Sequence, residues 1–176
     1  YMIGTQLAES GFDFFGGSGF ACPQDKNNTA APNLYDLCQE NGYLLAGGYE
    51  AAKTNIAAPK MLMVPAECLA DRTRGAGALP YAIDRQEGDL SLAQIVEVAI
   101  EHLGRNDRFF MMAEGGKIDY ASHGNDGGTV LREVMDFDNA IKLAYDFYLQ
   151  HPDETLIVIT ADHETGGMAL GNSDYV

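Results

Sequence analysis

The chain has 176 residues, of which 26 are Asp or Glu and 11 are Lys or Arg, for a formal net charge of −15, and 46% are hydrophobic. That length and apolar content suit one domain with its own core and exclude a disordered chain, while the excess of acids repels a nucleic-acid backbone and leaves any anionic substrate dependent on metal ions or a local Arg. No run approaches the roughly 18 consecutive apolar residues of a membrane span, and the N-terminus shows no signal-peptide pattern.

Tyr1–Glu9 reads as a helix, with Met2, Ile3, Leu7 and Ala8 in helical spacing, and opens without an initiator Met. We therefore expect a piece of a longer protein. Phe12–Phe15 reads as extended, and Gly16, Gly17 and Gly19 after it fit neither a dinucleotide fingerprint nor a P-loop, which leaves a tight turn at a strand end. Asn33–Glu40 reads as helix, and Tyr43–Ala46 and Met61–Val64 as short extended runs, with Gly, Pro and Asn at the junctions. Cys22, Cys38 and Cys68 are odd in number and form no CxxC, so they read as small hydrophobes, not as a disulfide framework or a zinc site.

The second half is patterned more strongly. Ser91 and Gln94 make a capping box, and Leu92, Ile95, Val96, Ala99 and Leu103 then fall on one helical face that ends at Gly104. Arg108–Ala113 is a continuous apolar run of the kind expected for a strand covered on both sides. From Thr129 to Gln150, Val130, Val134, Phe137, Ile141, Ala144 and Tyr148 recur at alternating spacings of four and three, predicting a long amphipathic helix stopped by His151-Pro152. Thr155–Ala161 reads as a second buried strand. Strand, long helix, strand is a crossover that joins parallel strands, so the fold class is α/β, a three-layer α/β/α arrangement with a largely parallel sheet over residues 1–176. Ligands of such sheets sit beyond the carboxyl ends of the strands.

Both polar clusters of the second half stand at those ends. This half holds 16 acids, five bases and all four His, against ten acids and six bases in residues 1–88. After Ala113 come Glu114, Asp119 and His123. Asp119 and His123 are four apart, so one helical turn puts carboxylate and imidazole on a common face, and Gly115 and Gly116 let the backbone fold closely near Glu114. After the other strand come Asp162 and His163. Carboxylate with neutral imidazole suits zinc, whereas an all-oxygen set suits magnesium. An Asp-x-x-x-His pair alone reads as a surface pair, but two acidic clusters at neighbouring strand ends call for a cation to offset their charge. His102 and His151 read as surface or helix-end residues, Asp136 and Asp138 as a solvated helix face, and Lys117 as the partner of a nearby acid.

The strings Phe109-Phe-Met-Met-Ala-Glu-Gly-Gly-Lys-Ile-Asp-Tyr-Ala-Ser-His-Gly-Asn-Asp126, Asp136-Phe-Asp-Asn-Ala140 and Thr155-Leu-Ile-Val-Ile-Thr-Ala-Asp-His-Glu-Thr-Gly-Gly167 resemble the alkaline phosphatase family. Leu79-Pro-Tyr-Ala-Ile-Asp-Arg85 and Phe12-Asp-Phe-Phe-Gly-Gly17 look like its bacterial members, so the resemblance spans nearly the whole chain. It implies a metal-dependent phosphomonoesterase with two zinc ions (Zn2+) and one magnesium ion (Mg2+). Glu114 then matches the magnesium ligand, Asp119 and His123 ligands of the first zinc, and Asp162 and His163 ligands of the second. The resemblance also implies a phosphate monoester substrate, a periplasmic or extracellular location and a homodimer. The family's nucleophile, in an Asp-Ser-Ala-like segment, has no match here and is expected upstream; a further zinc-binding histidine is expected after Val176. Ser18 and Ser122 are poor substitutes, because Ser18 lacks a nucleophile elbow and Ser122 points off the Asp119–His123 face. Independently, five ligands cannot complete three metal shells when zinc takes about four donors and magnesium about six, so the chain alone is expected to be inactive. Two other readings stay open at this stage: a phosphodiesterase or phosphoglycerate mutase with a similar Asp-His cluster, and a non-catalytic metal-binding α/β module.

Overall fold

The computed structural model describes residues 1–168. Its elements run α1 (Met2–Glu9), β1 (Phe14–Gly16), α2 (Leu34–Glu40), β2 (Tyr43–Gly47), α3 (Tyr49–Thr54), β3 (Lys60–Val64), α4 (Ala66–Ala70), α5 (Leu92–Leu103), α6 (Gly116–His123) and α7 (Gly127–Gln150). The three strands form one parallel sheet in the order β1-β3-β2. Each helix expected from spacing is present. The Asn33 side chain caps α2 by accepting from the Tyr35 amide, and Ser91 and Gln94 form the reciprocal capping box of α5.

Side chains of a strand point alternately to opposite faces, and here both faces are covered. Phe14, Leu44, Ala46, Met61 and Met63 join the core shared with Ala52, Leu90, Ile95 and Val98, on the side of α3 and α5. Phe15, Tyr43, Leu45, Leu62 and Val64 join the other core with Ala8, Tyr35 and Cys38, on the side of α1 and α2. Helix, sheet, helix is the three-layer α/β arrangement that the sequence implies. α5 packs against β1, α3 and α7 together, and α7 in turn packs against α6.

Two expectations fail. The sequence predicts buried strands over Arg108–Ala113 and Thr155–Ala161, yet among the described residues these segments make no ladder hydrogen bonds, and Phe110, Met112, Leu156 and Val158 are largely exposed. Neither run lies beside another strand among the described residues. Phe109 and Met111 are partly covered, Phe109 by edge contact with Phe147 of α7, while the alternate residues face outward. A run composed for burial on both sides is covered on one side only. His102 also differs: it is buried, with Nδ1 2.9 Å from the Ile56 carbonyl oxygen and its ring against Phe14, because contacts of α5 with both the sheet and α7 extend its buried surface past a single stripe.

Met63 is wholly enclosed and Met112 is not, so Met63→Ala should cost about 2–5 kcal/mol in urea unfolding and Met112→Ala less than about 0.5. Burial also pushes the Tyr35 hydroxyl from 10.0 up to about 12 and the Cys38 thiol from 9.0 up to about 11. Both groups hold their protons longer in the folded than in the unfolded chain. The stability they share is therefore intact below pH 9 and is lost as pH rises from there through 11 and 12. Thermal unfolding at stepped pH should show this decline, with a flatter first part in Cys38→Ala.

Candidate metal centre

α6 begins where the backbone turns sharply after residue 113. A Cβ on Gly115 would stand 3.2 Å from the Phe137 ring and 3.1 Å from Ile118, so a larger residue fits this corner against α7 only if those side chains give by a few tenths of an ångström. One turn along, Asp119 and His123 share a face, with Asp119 Oδ2 3.5 Å from His123 Nε2. Asp126 then caps α7, accepting from the Thr129 amide at 3.1 Å and the Thr129 hydroxyl at 2.7 Å. Those two hydrogen bonds, the hydroxyl foremost, hold its carboxyl below the usual range.

The second cluster is a turn. Asp162 Oδ1 accepts from the His163 amide at 3.1 Å, and Asp162 Oδ2 lies 3.3 Å from His163 Nε2. The Thr165 hydroxyl donates to Asp119 Oδ1 at 2.7 Å and lies 3.1 Å from His163 Nδ1. Four of the five residues expected from sequence thus stand in one line of contacts, His123, Asp119, Thr165, His163, Asp162, which crosses from α6 to the 162–165 turn. Backbone docking reinforces it. Gly166 has φ +81° and sits where a Cβ would stand 2.6 Å from the Ser122 carbonyl oxygen.

The fifth residue, Glu114, is not joined to this line. Its carboxylate folds over the start of α6, with Oε1 3.2 Å from where a Gly116 Cβ would be. Among the described residues no three His, Cys, Asp or Glu side chains converge as a cation cage. What is present is two half-shells, each an imidazole nitrogen facing a carboxylate oxygen. The side chains of His123, His163 and Asp162 are 72%, 58% and 88% exposed, which leaves them open to further donors. The donor set fits zinc at each pair, and Glu114, offering oxygen only, fits a harder ion.

Several neighbours depart from expectation. Lys117 pairs with no acid among the described residues: its ammonium lies 3.7 Å from the Tyr81 ring centroid and 5.3 Å from that of Tyr120, a cation–π contact instead of an ion pair. Asp136 is not a solvated helix residue. It takes a two-pronged contact from Arg85 at 2.9 and 2.7 Å, which holds the guanidinium more firmly protonated. Glu133, one turn back, is buried and accepts from the Ala82 amide at 2.6 Å, so residues 82–85 are strapped onto α7. Ser122 donates to the Ile118 carbonyl oxygen at 2.8 Å, a hydrogen bond within its own helix. Thr165 was missed at the sequence level. Its only signal is its place two residues after His163 and just before a Gly-Gly pair.

Comparison with known proteins shows the family. A family profile described as alkaline phosphatase matches residues 75–176, more than half of the chain. Alkaline phosphatase 3 of Bacillus subtilis (strain 168) is 44% identical over 96 residues, 54% of this chain and 21% of that enzyme. The crystal structure of a cold-active alkaline phosphatase from a psychrophilic Shewanella sp. is 29% identical with a TM-score of 0.78, covering 99% of this chain and 39% of that one. A single-substitution variant of the TAB5 alkaline phosphatase, described with Mg bound in its M3 site, is 26% identical with a TM-score of 0.72, covering 94% of this chain and 44% of that one. The chain therefore spans less than half the length of these solved structures, and its match to the curated relative covers about a fifth of that enzyme.

Gly166→Ala tests the docking of the turn. A left-handed φ and the clash with Ser122 should cost about 1–3 kcal/mol locally. Hydrogen exchange should then quicken across residues 162–167 while β3 stays protected; unchanged exchange in the turn would contradict the contact.

Proposed function

Because the chain belongs to the alkaline phosphatase family, we propose that it carries part of the metal centre of an enzyme hydrolysing phosphate monoesters. The observation that carries this reading is the continuous line from His123 through Asp119 and Thr165 to His163 and Asp162. Asp119 and His123 would hold one zinc ion, Asp162 and His163 a second, and Glu114 a magnesium ion. When bound, paired divalent cations supply the Lewis acidity that stabilises attacking and leaving oxygens in an in-line displacement. The chain's own residues do the positioning. α6 presents one Asp-His pair, the docked turn presents the other, and Thr165 ties the two.

We do not assign Ser122 as the nucleophile, a reading supported by its hydroxyl donating into its own helix. Five ligands also fall short of three metal shells. We read residues 1–176 as one partial domain whose isolated form binds zinc weakly and turns over no substrate. The phosphate monoester substrate, homodimer formation and a periplasmic or extracellular location follow from the same reading. No described helix is long and apolar enough to cross a membrane.

A ligand that binds only the folded state stabilises it, by about 2.7 kcal/mol at a hundredfold excess over Kd. Zinc should therefore raise the melting temperature of the purified chain, and Asp119→Ala or His163→Ala should each shrink that rise by half or more. A wild-type chain indifferent to zinc would end the metal reading. Brisk zinc-dependent hydrolysis of a chromogenic phosphate monoester by the chain alone would end the claim of incompleteness.

A further inference from the structure

Thr165 Oγ1 stands between the two Asp-His pairs, 2.7 Å from Asp119 Oδ1 and 3.1 Å from His163 Nδ1. A threonine hydroxyl has one proton to donate, and an ionised carboxylate can only accept. The hydroxyl proton therefore goes to Asp119. Contact with His163 then holds as a hydrogen bond only if the ring donates, so Nδ1 carries hydrogen. The Glu164 carbonyl oxygen, 3.2 Å from the same Nδ1, is also purely an acceptor and requires the same assignment. In the neutral ring, Nε2 is left with its lone pair, and it faces Asp162 Oδ2 at 3.3 Å. Two acceptors facing each other at that distance and open to solvent offer a divalent cation one nitrogen and one oxygen donor, in place of the water hydrogens they otherwise accept.

We propose that Thr165 is a positioning residue that fixes the His163 tautomer, presenting Nε2 to a divalent cation, and holds Asp119 Oδ1 so that Oδ2 stays turned to His123. The two pairs are thereby coupled through a single hydroxyl group. Gly166, seated against the Ser122 carbonyl, fixes the backbone from which the Thr165 side chain projects. Sequence spacing suggests ligands but not this link, which needs the turn and α6 to meet. The inference rests on the two-pair cation reading above.

Thr165→Val keeps the branching and removes the hydroxyl, and Thr165→Ser restores it. Two measurements on the full chain separate the outcomes. In the metal-free protein, long-range proton–nitrogen correlation of the four histidines should show His163 mainly as the Nδ1–H tautomer in wild type and Thr165→Ser. In Thr165→Val only the longer contact to the Glu164 carbonyl oxygen is left to hold that hydrogen, and the fraction should fall at least twofold. Zinc titration against a competing chelator should show affinity weakened about 10–100-fold in Thr165→Val and restored to within about threefold in Thr165→Ser. An unchanged tautomer, or zinc affinity in Thr165→Val equal to wild type, overturns the proposal and leaves the metal reading intact. If wild type takes up no zinc while the tautomer still responds, the metal reading falls and the hold of the hydroxyl on His163 stands.

Discussion

β3 is the strand on which the architecture depends, because among the described residues it alone is hydrogen-bonded along both edges and covered on both faces. Met61 and Met63 go to one core and Leu62 and Val64 to the other, so any shift of register by one residue would exchange the two sets. With β3 fixed, β1 and β2 are fixed beside it. α5 then lies against β1, α7 against α5, and α6 against α7. Asp119 and His123 are therefore positioned by a relay of packed helices and not by the three strands directly. Each joint has its own lock: the capping box at the start of α5, the Asp126 cap of α7, and the Gly115 corner pressed onto Phe137.

The polar contacts on α7 serve this relay. Arg85 and the Ala82 amide engage Asp136 and Glu133, which are one turn apart on the helix, and a two-pronged guanidinium–carboxylate contact fixes orientation as well as distance. Lys117 lies on the Tyr81 ring of the same loop, so residues 81–85 touch both α6 and α7. An aromatic partner leaves the ammonium charge uncancelled, unlike a carboxylate partner. In a region with three times as many acids as bases, that retained charge softens the negative field around Asp119.

Helix positions were legible because capping residues and 3.6-residue spacing are local signals: Ser91, Gln94 and Gly104 mark α5 without reference to anything distant. The α/β class holds, but not through the crossover: residues 108–113 and 155–161 pair with no strand among the described residues, and the parallel sheet is built from β1, β2 and β3. Burial was not legible, since it depends on neighbours. The runs 109–113 and 155–161 have the composition of central strands, but pairing is a property of two segments and the described residues supply none. His102 and Asp136 were misread as exposed because α5 and α7 each bury more than one stripe, a fact fixed by packing and by Arg85, 51 residues away from Asp136. At the candidate centre, the i, i+4 spacing of Asp119 and His123 and the adjacency of Asp162 and His163 carried the pairs. Their meeting did not follow from spacing, because it runs through Thr165, 46 positions from Asp119.

The outward-facing Phe110, Met112, Leu156, Val158 and Ile159 set how copies of this chain treat one another. Sticky side chains of this kind favour self-association, while a charge of −15 on every copy opposes close approach. The balance is governed by the surrounding electrolyte, whose Debye length shrinks from about 30 Å at 0.01 M to about 3 Å at 1 M. Colloidal behaviour is thus tied to ionic strength, with dilute buffer keeping molecules apart and concentrated salt letting the greasy runs meet.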